Sequence, residues 1–551
     1  MGARGTGRSK CRIGFAVLAS AIAGAAAPTG GAGAQSSPSL GDRCASIAEA
    51  AYPGTHILTA QLVAEGPAPA EDGSGRADPS RPVLPGHCLV QGVINERTGV
   101  GGRTFGIGFD LRLPLEWNGR FAFHGGAGMD GRLMPALGDI ANTVDPSALE
   151  RGFAVISSDG GHRGPFTDSS FGLDQQARID YAYNALEKTT LLGKRLVADF
   201  YGSDPSYSYM LGCSNGGRQG LVASQRFPML FDGIVSGDAS LGFSRIAIGE
   251  MWNVHVLSRI APRDAQGWPI YSRAYSDAEV NLVKGAVLKR CDALDGLADG
   301  IVHDWQACDF DPGILTCKAG ETENCLSFAK VQALRDLHDG PRTSDGQRIY
   351  GPFNYDTGIA SPAWRGMRLG TSQTGEPNSA DATLGLGQFS LYQLTPPEPD
   401  FDPTGEVDWD EMLRRVRYTG ALGDGDSPFI NTFANNGKMI VYNGLSDQGM
   451  ASSEFVKWYE KVLAVNGEEV RDSVRLFLVP GMTHCRGGEA TDSFDMLAEI
   501  QAWVEEGKAP DRIHATSRSI PDIARPLCPY PQVARYIGGD PKNAASFACR
   551  K

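Results

Sequence analysis

The sequence predicts an α/β fold, a central sheet with helices between its strands, broken by one long insertion. Three observations carry this. From about residue 104 onward, short apolar runs alternate with amphipathic segments. Each apolar run ends in Gly, Ser, Asp or His, where open α/β sheets place their ligands. Roughly 190 residues separate the apolar run near 235 from the one near 440, far more than a loop of a compact sheet requires.

At the amino end, Arg4, Arg8, Lys10 and Arg12 precede the apolar run "IGFAVLASAIAGAAA" and small residues ending "GAGAQSS". This is the pattern of a secretory signal peptide, residues 1–34, with cleavage near Ala34. Its core is too short and too rich in Ala and Gly to stay in a membrane, and Cys11 lies upstream of it, where lipoprotein processing would not use it. The expected destination is periplasmic or extracellular, with no membrane partner after cleavage. Cleavage removes four positive charges and no negative ones, so the net charge moves from −13 to −13 − 4 = −17. So acidic a chain is not expected to bind nucleic acid. Hydrophobic content of 41% and charged content of 21% are those of an ordinary globular protein.

The predicted strands lie in "RFAFHGGAG" (120–128), "GFAVISSDGG" (152–161), "SYSYMLGCS" (206–214), "FDGIVSGD" (231–238), "GKMIVYNGLSD" (437–447) and "VRLFLVPGMTHC" (474–485). Between them, residues 178–202 carry apolar side chains at helical spacing and stop at Gly202. Residues 492–508 repeat the pattern, with Asp492 or Ser493 as cap and Gly507 as stop. The expected organisation is a sheet domain from residues 35–240 and 430–551, with an inserted lid domain over 241–429.

The chemistry centres on "MLGCSNGGRQG". Gly212-Cys213-Ser214-Asn215-Gly216 fits G-x-S-x-G between a strand and a helix, the nucleophile elbow of the α/β-hydrolase fold. Serine needs a base to take its proton and an acid to orient that base, in the chain order Ser, Asp, His. Of the nine histidines, only His484 and His514 follow the elbow at sufficient distance, and His484 alone ends a strand-like run; His514 reads as a surface residue. Asp447 ends the preceding strand and ranks ahead of Asp472 and Asp492 as the acid. The oxyanion donors are expected to be the Asn215 amide and Gly126 in the loop "HGGAG", with Gly125 the next choice and His124 orienting the loop.

Without Cys11, ten cysteines remain, an even number that suggests up to five disulfides in an exported chain. Spacing does not fix their connectivity, although Cys291 with Cys308, Cys317 with Cys325, and Cys528 with Cys549 could close short local loops. Cys213 and Cys485 flank Ser214 and His484. If those two residues touch, their neighbours come within bridging range. In "CDALDGLADGIV", Asp292, Asp295 and Asp299 crowd one loop, a donor set that suits Ca²⁺ without matching an EF-hand.

"GCSNGG", "SDQG" and "THC", with "WNGRF", "ASQRFP" and "CDALDGLADGIV", resemble the tannase and feruloyl esterase family of α/β-hydrolases over nearly the whole mature chain. The resemblance implies a lid carrying a structural calcium, held by Asp292, Asp295 and Asp299 and by the carbonyls of Leu297 and Ile301. It implies the bridges Cys44–Cys88, Cys213–Cys485, Cys291–Cys308, Cys317–Cys325 and Cys528–Cys549. It also implies a small aromatic acid ester as substrate, with Trp364, Phe389 and Tyr392 as candidate ring contacts. The expected function is an exported serine carboxylic ester hydrolase working through an acyl-enzyme, with no organic cofactor. The alternatives are a serine peptidase using the same triad and a catalytically silent binding protein.

Overall fold

The computed structural model describes residues 39–68, 81–140 and 146–551; the expected signal peptide lies outside them. Nine strands form the central sheet: β1 (Thr55–Val63), β2 (His87–Thr98), β3 (Thr104–Pro114), β4 (Arg120–His124), β5 (Ala154–Ser158), β6 (Tyr207–Cys213), β7 (Gly233–Gly237), β8 (Lys438–Gly444) and β9 (Val474–Val479). Their spatial order is β1-β2-β3-β5-β4-β6-β7-β8-β9. The first three strands are an antiparallel meander, and β3 meets β5 antiparallel. From β5 onward every pairing is parallel. Strands β5 and β7 are buried at every residue, as parallel strands covered on both faces must be.

The helices include α1 (Ala185–Tyr201), α2 (Asn215–Arg226), α3 (Phe243–Ser258), α4 (Asp277–Cys291), α5 (Phe328–Asp339), α6 (Trp409–Gly423), α7 (Ser452–Asn466) and α8 (Met496–Glu506). Helix α1 stops at Gly202, whose φ of 82° needs no Cβ to be accommodated. Helix α8 is capped by Asp495, which accepts from the Ala498 amide, rather than by Asp492 or Ser493. Asp492 instead accepts from the Gly487 and Arg518 amides, so its carboxylate holds loops together.

The chain between β7 and β8 contains α3 to α6 and has a hydrophobic core of its own, including Met251, Leu257, Val287, Leu334, Phe389 and Val416. The sheet is packed by two further clusters, one including Phe109, Phe121, Met210 and Leu476, the other including Tyr209, Val235, Tyr442 and Trp503. Bridges join Cys44 to Cys88, Cys213 to Cys485, Cys291 to Cys308, Cys317 to Cys325 and Cys528 to Cys549. Among the described residues, no helix is long and apolar enough to cross a membrane.

Candidate active site

Ser214 stands between β6 and α2 with φ 60° and ψ −123°, a conformation that costs a non-glycine residue of the order of 1–3 kcal/mol. The turn that imposes it is too tight for side chains. A Cβ on Gly212 would lie 2.4 Å from the Gly216 carbonyl carbon, and one on Gly216 would lie 3.0 Å from the Gly125 backbone. Glycine at both positions is therefore a packing requirement, and the strain lifts the serine off the sheet at the start of α2.

His484 follows β9 and Asp447 follows β8. His484 Nδ1 lies 2.7 Å from Asp447 Oδ2, while Asp447 Oδ1 accepts from the Gly449 and Met450 amides at 2.8 and 2.9 Å. Burial alone would raise the Asp447 carboxyl, but the neighbouring His484 charge and these hydrogen bonds hold it below the usual carboxylate range. For His484, burial pulls downward and the Asp447 carboxylate more than offsets it, raising the imidazole to about 9. His514 is an exposed residue of a short strand.

Ser214 and His484 line one cavity of about 390 Å³. The Cys213–Cys485 bridge joins the residue before the serine to the residue after the histidine, across 272 positions of sequence. The cavity has two kinds of wall. Its floor is the elbow and the 124–128 loop; its roof comes from the insertion, through Phe243, Ile246, Met367 and Leu384. Phe166 and Met450 add further apolar surface, and Glu250 and Gln388 are polar residues of the roof, with Gln388 Nε2 donating to Glu250 Oε2 at 3.0 Å. Burial, then the neighbouring Asp381, push the Glu250 carboxyl up to about 8.

The expected ring contacts are corrected by this geometry. Trp364, Phe389 and Tyr392 are all buried and do not line the cavity. Phe389 packs on Phe401, and Tyr392 sits among Phe171, Tyr181 and Phe243. Ring identity alone does not say which way a side chain faces.

The Asn215 amide opens α2 and has no acceptor within its own helix. Its side chain points away from chemistry: Nδ2 donates to the buried Asp130 at 2.5 Å, and Oδ1 accepts from Arg218 at 2.6 and 2.9 Å. The Gly126 amide donates to Gln219 Oε1 at 3.0 Å, and the Gly125 amide to the Leu211 carbonyl. Gln219, one turn into α2, therefore already occupies the expected second oxyanion donor. Buried His124 takes the Leu137 and Gly138 amides at Nδ1, each at 3.3 Å, and so braces its loop.

In the aspartate loop, Asp292 Oδ1 accepts from the Asp299 and Gly300 amides, Asp295 Oδ1 from the Leu297 amide, and Asp299 pairs with Arg525 at 2.5 Å. Asp295 Oδ2 is buried and unpaired among the described residues, and burial raises this carboxyl to about 6. A buried carboxylate oxygen with no donor fits a hard cation by chemistry. Asp299, partly neutralised by Arg525, fits it less well.

The sequence matches the tannase and feruloyl esterase family over residues 88–550. The chain belongs to that family. It is accordingly a carboxylic ester hydrolase, and the peptidase and binding-protein alternatives fall away. This esterase is 40% identical over 522 residues to mono(2-hydroxyethyl) terephthalate hydrolase of Piscinibacter sakaiensis, covering 86% of each chain. It is 27% identical to a probable feruloyl esterase of Arthroderma benhamiae, over 92% of this chain and 93% of that one. Its fold is that of feruloyl esterase B from Aspergillus oryzae, with TM-score 0.77 and 23% identity over 93% of this chain and 100% of that one. Tannin acyl hydrolase from Aspergillus niger is similar, with TM-score 0.70 and 21% identity over 93% and 96%.

Two residues of this site escaped the sequence reading. Gln219 is visible only as a polar residue inside the glycine-rich start of a helix. Asp238, which accepts from the Cys485 amide beside His484 at 3.2 Å, ends the predicted strand "FDGIVSGD" as Asp447 ends its own, and that shared placement is its signal in the sequence.

Proposed function

We propose that this esterase is an exported serine hydrolase that cleaves small esters of aromatic acids through an acyl-enzyme. Ser214 Oγ attacks the ester carbonyl while His484 Nε2 takes its proton, and Asp447 holds the Nδ1–H and stabilises the imidazolium. The Asn215 amide donates to the oxyanion. Gly126 contributes the second donor by exchanging Gln219 Oε1 for the developing charge. His484 then protonates the leaving alcohol, and a water activated by the same imidazole releases the acid. These steps need no organic cofactor. The single observation that carries the reading is the 2.7 Å His484–Asp447 contact in a cavity that also holds a strained Ser214.

An apolar lining with an aromatic component, Phe166 and Phe243, supports an aryl acyl group. The names of the relatives support the same class. Five disulfides support export to an oxidising compartment. The insertion is read as a lid that carries structural calcium, held by the Asp292, Asp295 and Asp299 side chains and the Leu297 and Ile301 carbonyls, and it takes no part in the reaction.

The test is hydrolysis of methyl ferulate, methyl gallate, mono(2-hydroxyethyl) terephthalate, p-nitrophenyl acetate and a peptide by wild type and Ser214→Ala. Preference for one aryl ester, lost in a folded Ser214→Ala variant, is expected. Residual turnover in that variant would remove the serine mechanism, and preference for p-nitrophenyl acetate over every aryl ester would remove the substrate class.

A further inference from the structure

A second acid stands behind the His484–Asp447 pair. Asp238 follows β7, the strand between those that lead into Ser214 and Asp447, and it is wholly buried. Its backbone adopts φ 34°, in the left-handed region that Asp visits more readily than most non-glycine residues. Both carboxyl oxygens accept hydrogen bonds. Oδ1 accepts from the Gly444 amide at 2.7 Å and from Asn443 Nδ2 at 3.1 Å; Oδ2 accepts from the Cys485 amide at 3.2 Å. Cys213 Sγ lies 3.9 Å from Oδ2, but in the bridge to Cys485 it has no proton to give.

These donors are not scattered. Gly444 ends β8, three residues before Asp447, and Cys485 directly follows His484. One carboxyl thus grips the strand end that carries the acid and the loop that carries the base. It is also close to both side chains, since Asp238, Asp447 and His484 offer polar atoms that all lie within 4.8 Å of one another. The ionisable groups facing Asp238 are Asp447 and His484 themselves.

Two buried carboxylates at this separation do not both ionise, and the proton goes to the one that gains less from being charged. Asp447 has the imidazole at 2.7 Å, so the charge belongs there. Burial, and after it the Asp447 charge, push the Asp238 carboxyl well above the usual range.

We propose that Asp238 is a positioning residue of the triad: a neutral carboxyl that gives a hydrogen bond to Asp447 and ties the segments bearing Asp447 and His484 into one register. This rests on the triad reading given above. The proton stays on Asp238 throughout turnover, and no bond to substrate is made or broken there.

The test compares wild type, Asp238→Asn and Asp238→Ala as full oxidised chains, with kcat, KM and the pH dependence of kcat/KM for p-nitrophenyl acetate. Asparagine is uncharged, nearly isosteric and retains a donor toward Asp447, but its Nδ2 cannot accept where a carboxyl oxygen did. It is expected to keep kcat within about tenfold, the value of about one hydrogen bond, and to leave the acid limb of the profile where it is. Alanine is expected to lose about a hundredfold in kcat with KM unchanged, the size of effect that loss of catalytic register produces. An acid limb in Asp238→Asn displaced downward by a full pH unit would overturn the proposal, because Asp238 would then carry a charge that His484 feels. So would an Asp238→Ala enzyme within threefold of wild-type kcat. If the alanine variant does not fold, the acid limb of Asp238→Asn alone decides. Ser214→Ala measured alongside separates the two readings: turnover persisting there removes the triad itself, whereas its loss there beside wild-type behaviour in both Asp238 variants removes only this proposal.

Discussion

Replacing Cys213 and Cys485 together by alanine cuts the tie between the nucleophile and base segments. The bridge closes 272 residues, and two shorter bridges within that loop, of 17 and 8 residues, shorten it only slightly. Chain entropy then assigns it at most about 5.5 kcal/mol, while measured bridges fall nearer 2–4 kcal/mol. Unfolding entropy near 2.1 cal/mol/K per residue gives roughly 1 kcal/mol/K for a chain of about 500 residues, so the melting midpoint falls by about 2–5 °C. That modest shift should accompany a disproportionate loss of activity. A displacement of about 1 Å between Ser214 and His484 costs of the order of a hundredfold in kcat. The control is the Cys317→Ala, Cys325→Ala pair. Its loop of 8 residues is worth about 2.5 kcal/mol, and neither residue lines the cavity, so it should lower the midpoint and leave kcat alone. Scanning calorimetry and steady-state hydrolysis of one aryl ester read both quantities. A kcat within twofold of wild type in the Cys213, Cys485 variant, at a lowered midpoint, would refute the claim that the bridge keeps catalytic register.

Three further outcomes follow from the site. With His484 raised to about 9 and acting as base in its neutral form, kcat/KM should climb with pH through the neutral range; Asp447→Asn should move that limb down and cost several orders of magnitude in rate. A wild-type limb at or below 6.5 would contradict the assigned electrostatics. Millimolar Ca²⁺ against chelator should stabilise the fold, by about 2.7 kcal/mol at a hundredfold excess over Kd, and so raise the denaturation midpoint, with kcat unchanged and the effect gone in Asp295→Ala; equal midpoints would remove the calcium reading. Glu250→Leu should raise KM about fivefold for a hydroxylated aryl ester relative to its unsubstituted counterpart, the value of about one hydrogen bond. Parallel changes for both esters would show that Glu250 does not touch the ring.

The parallel half of the sheet was legible because each strand is a short apolar run ending in a residue with chemistry to do. Strands β4 to β9 begin and end within about two residues of those runs, apart from the functional tails. Strands β1 and β2 were not. Their burial is mixed, as in "THILTAQLV", and their pairing is fixed by partners remote from any motif. In the site, order along the chain selected His484 and Asp447, since strand succession constrains which ends converge. The cavity roof was illegible for the opposite reason. Whether Phe243 or Phe389 faces a ligand depends on how the insertion packs on itself and on the rest of the chain, and aromatic residues serve core and pocket alike. Gln219 at the Gly126 amide was hidden likewise, because it takes a contact between a helix and a loop 93 residues apart.

The two-walled cavity has an evolutionary consequence. The floor is backbone and glycine, where almost any side-chain change collides with a neighbour, so the machinery for breaking an ester is effectively frozen. The roof is made of side chains, among them Leu384 and Met367, which are only half-buried and can be exchanged at smaller cost to the packing beneath them. Mutation can therefore explore acyl groups at constant chemistry. A library confined to the roof should yield altered substrate range at high frequency, while one confined to residues 124–128 and 212–217 should yield mostly dead enzyme.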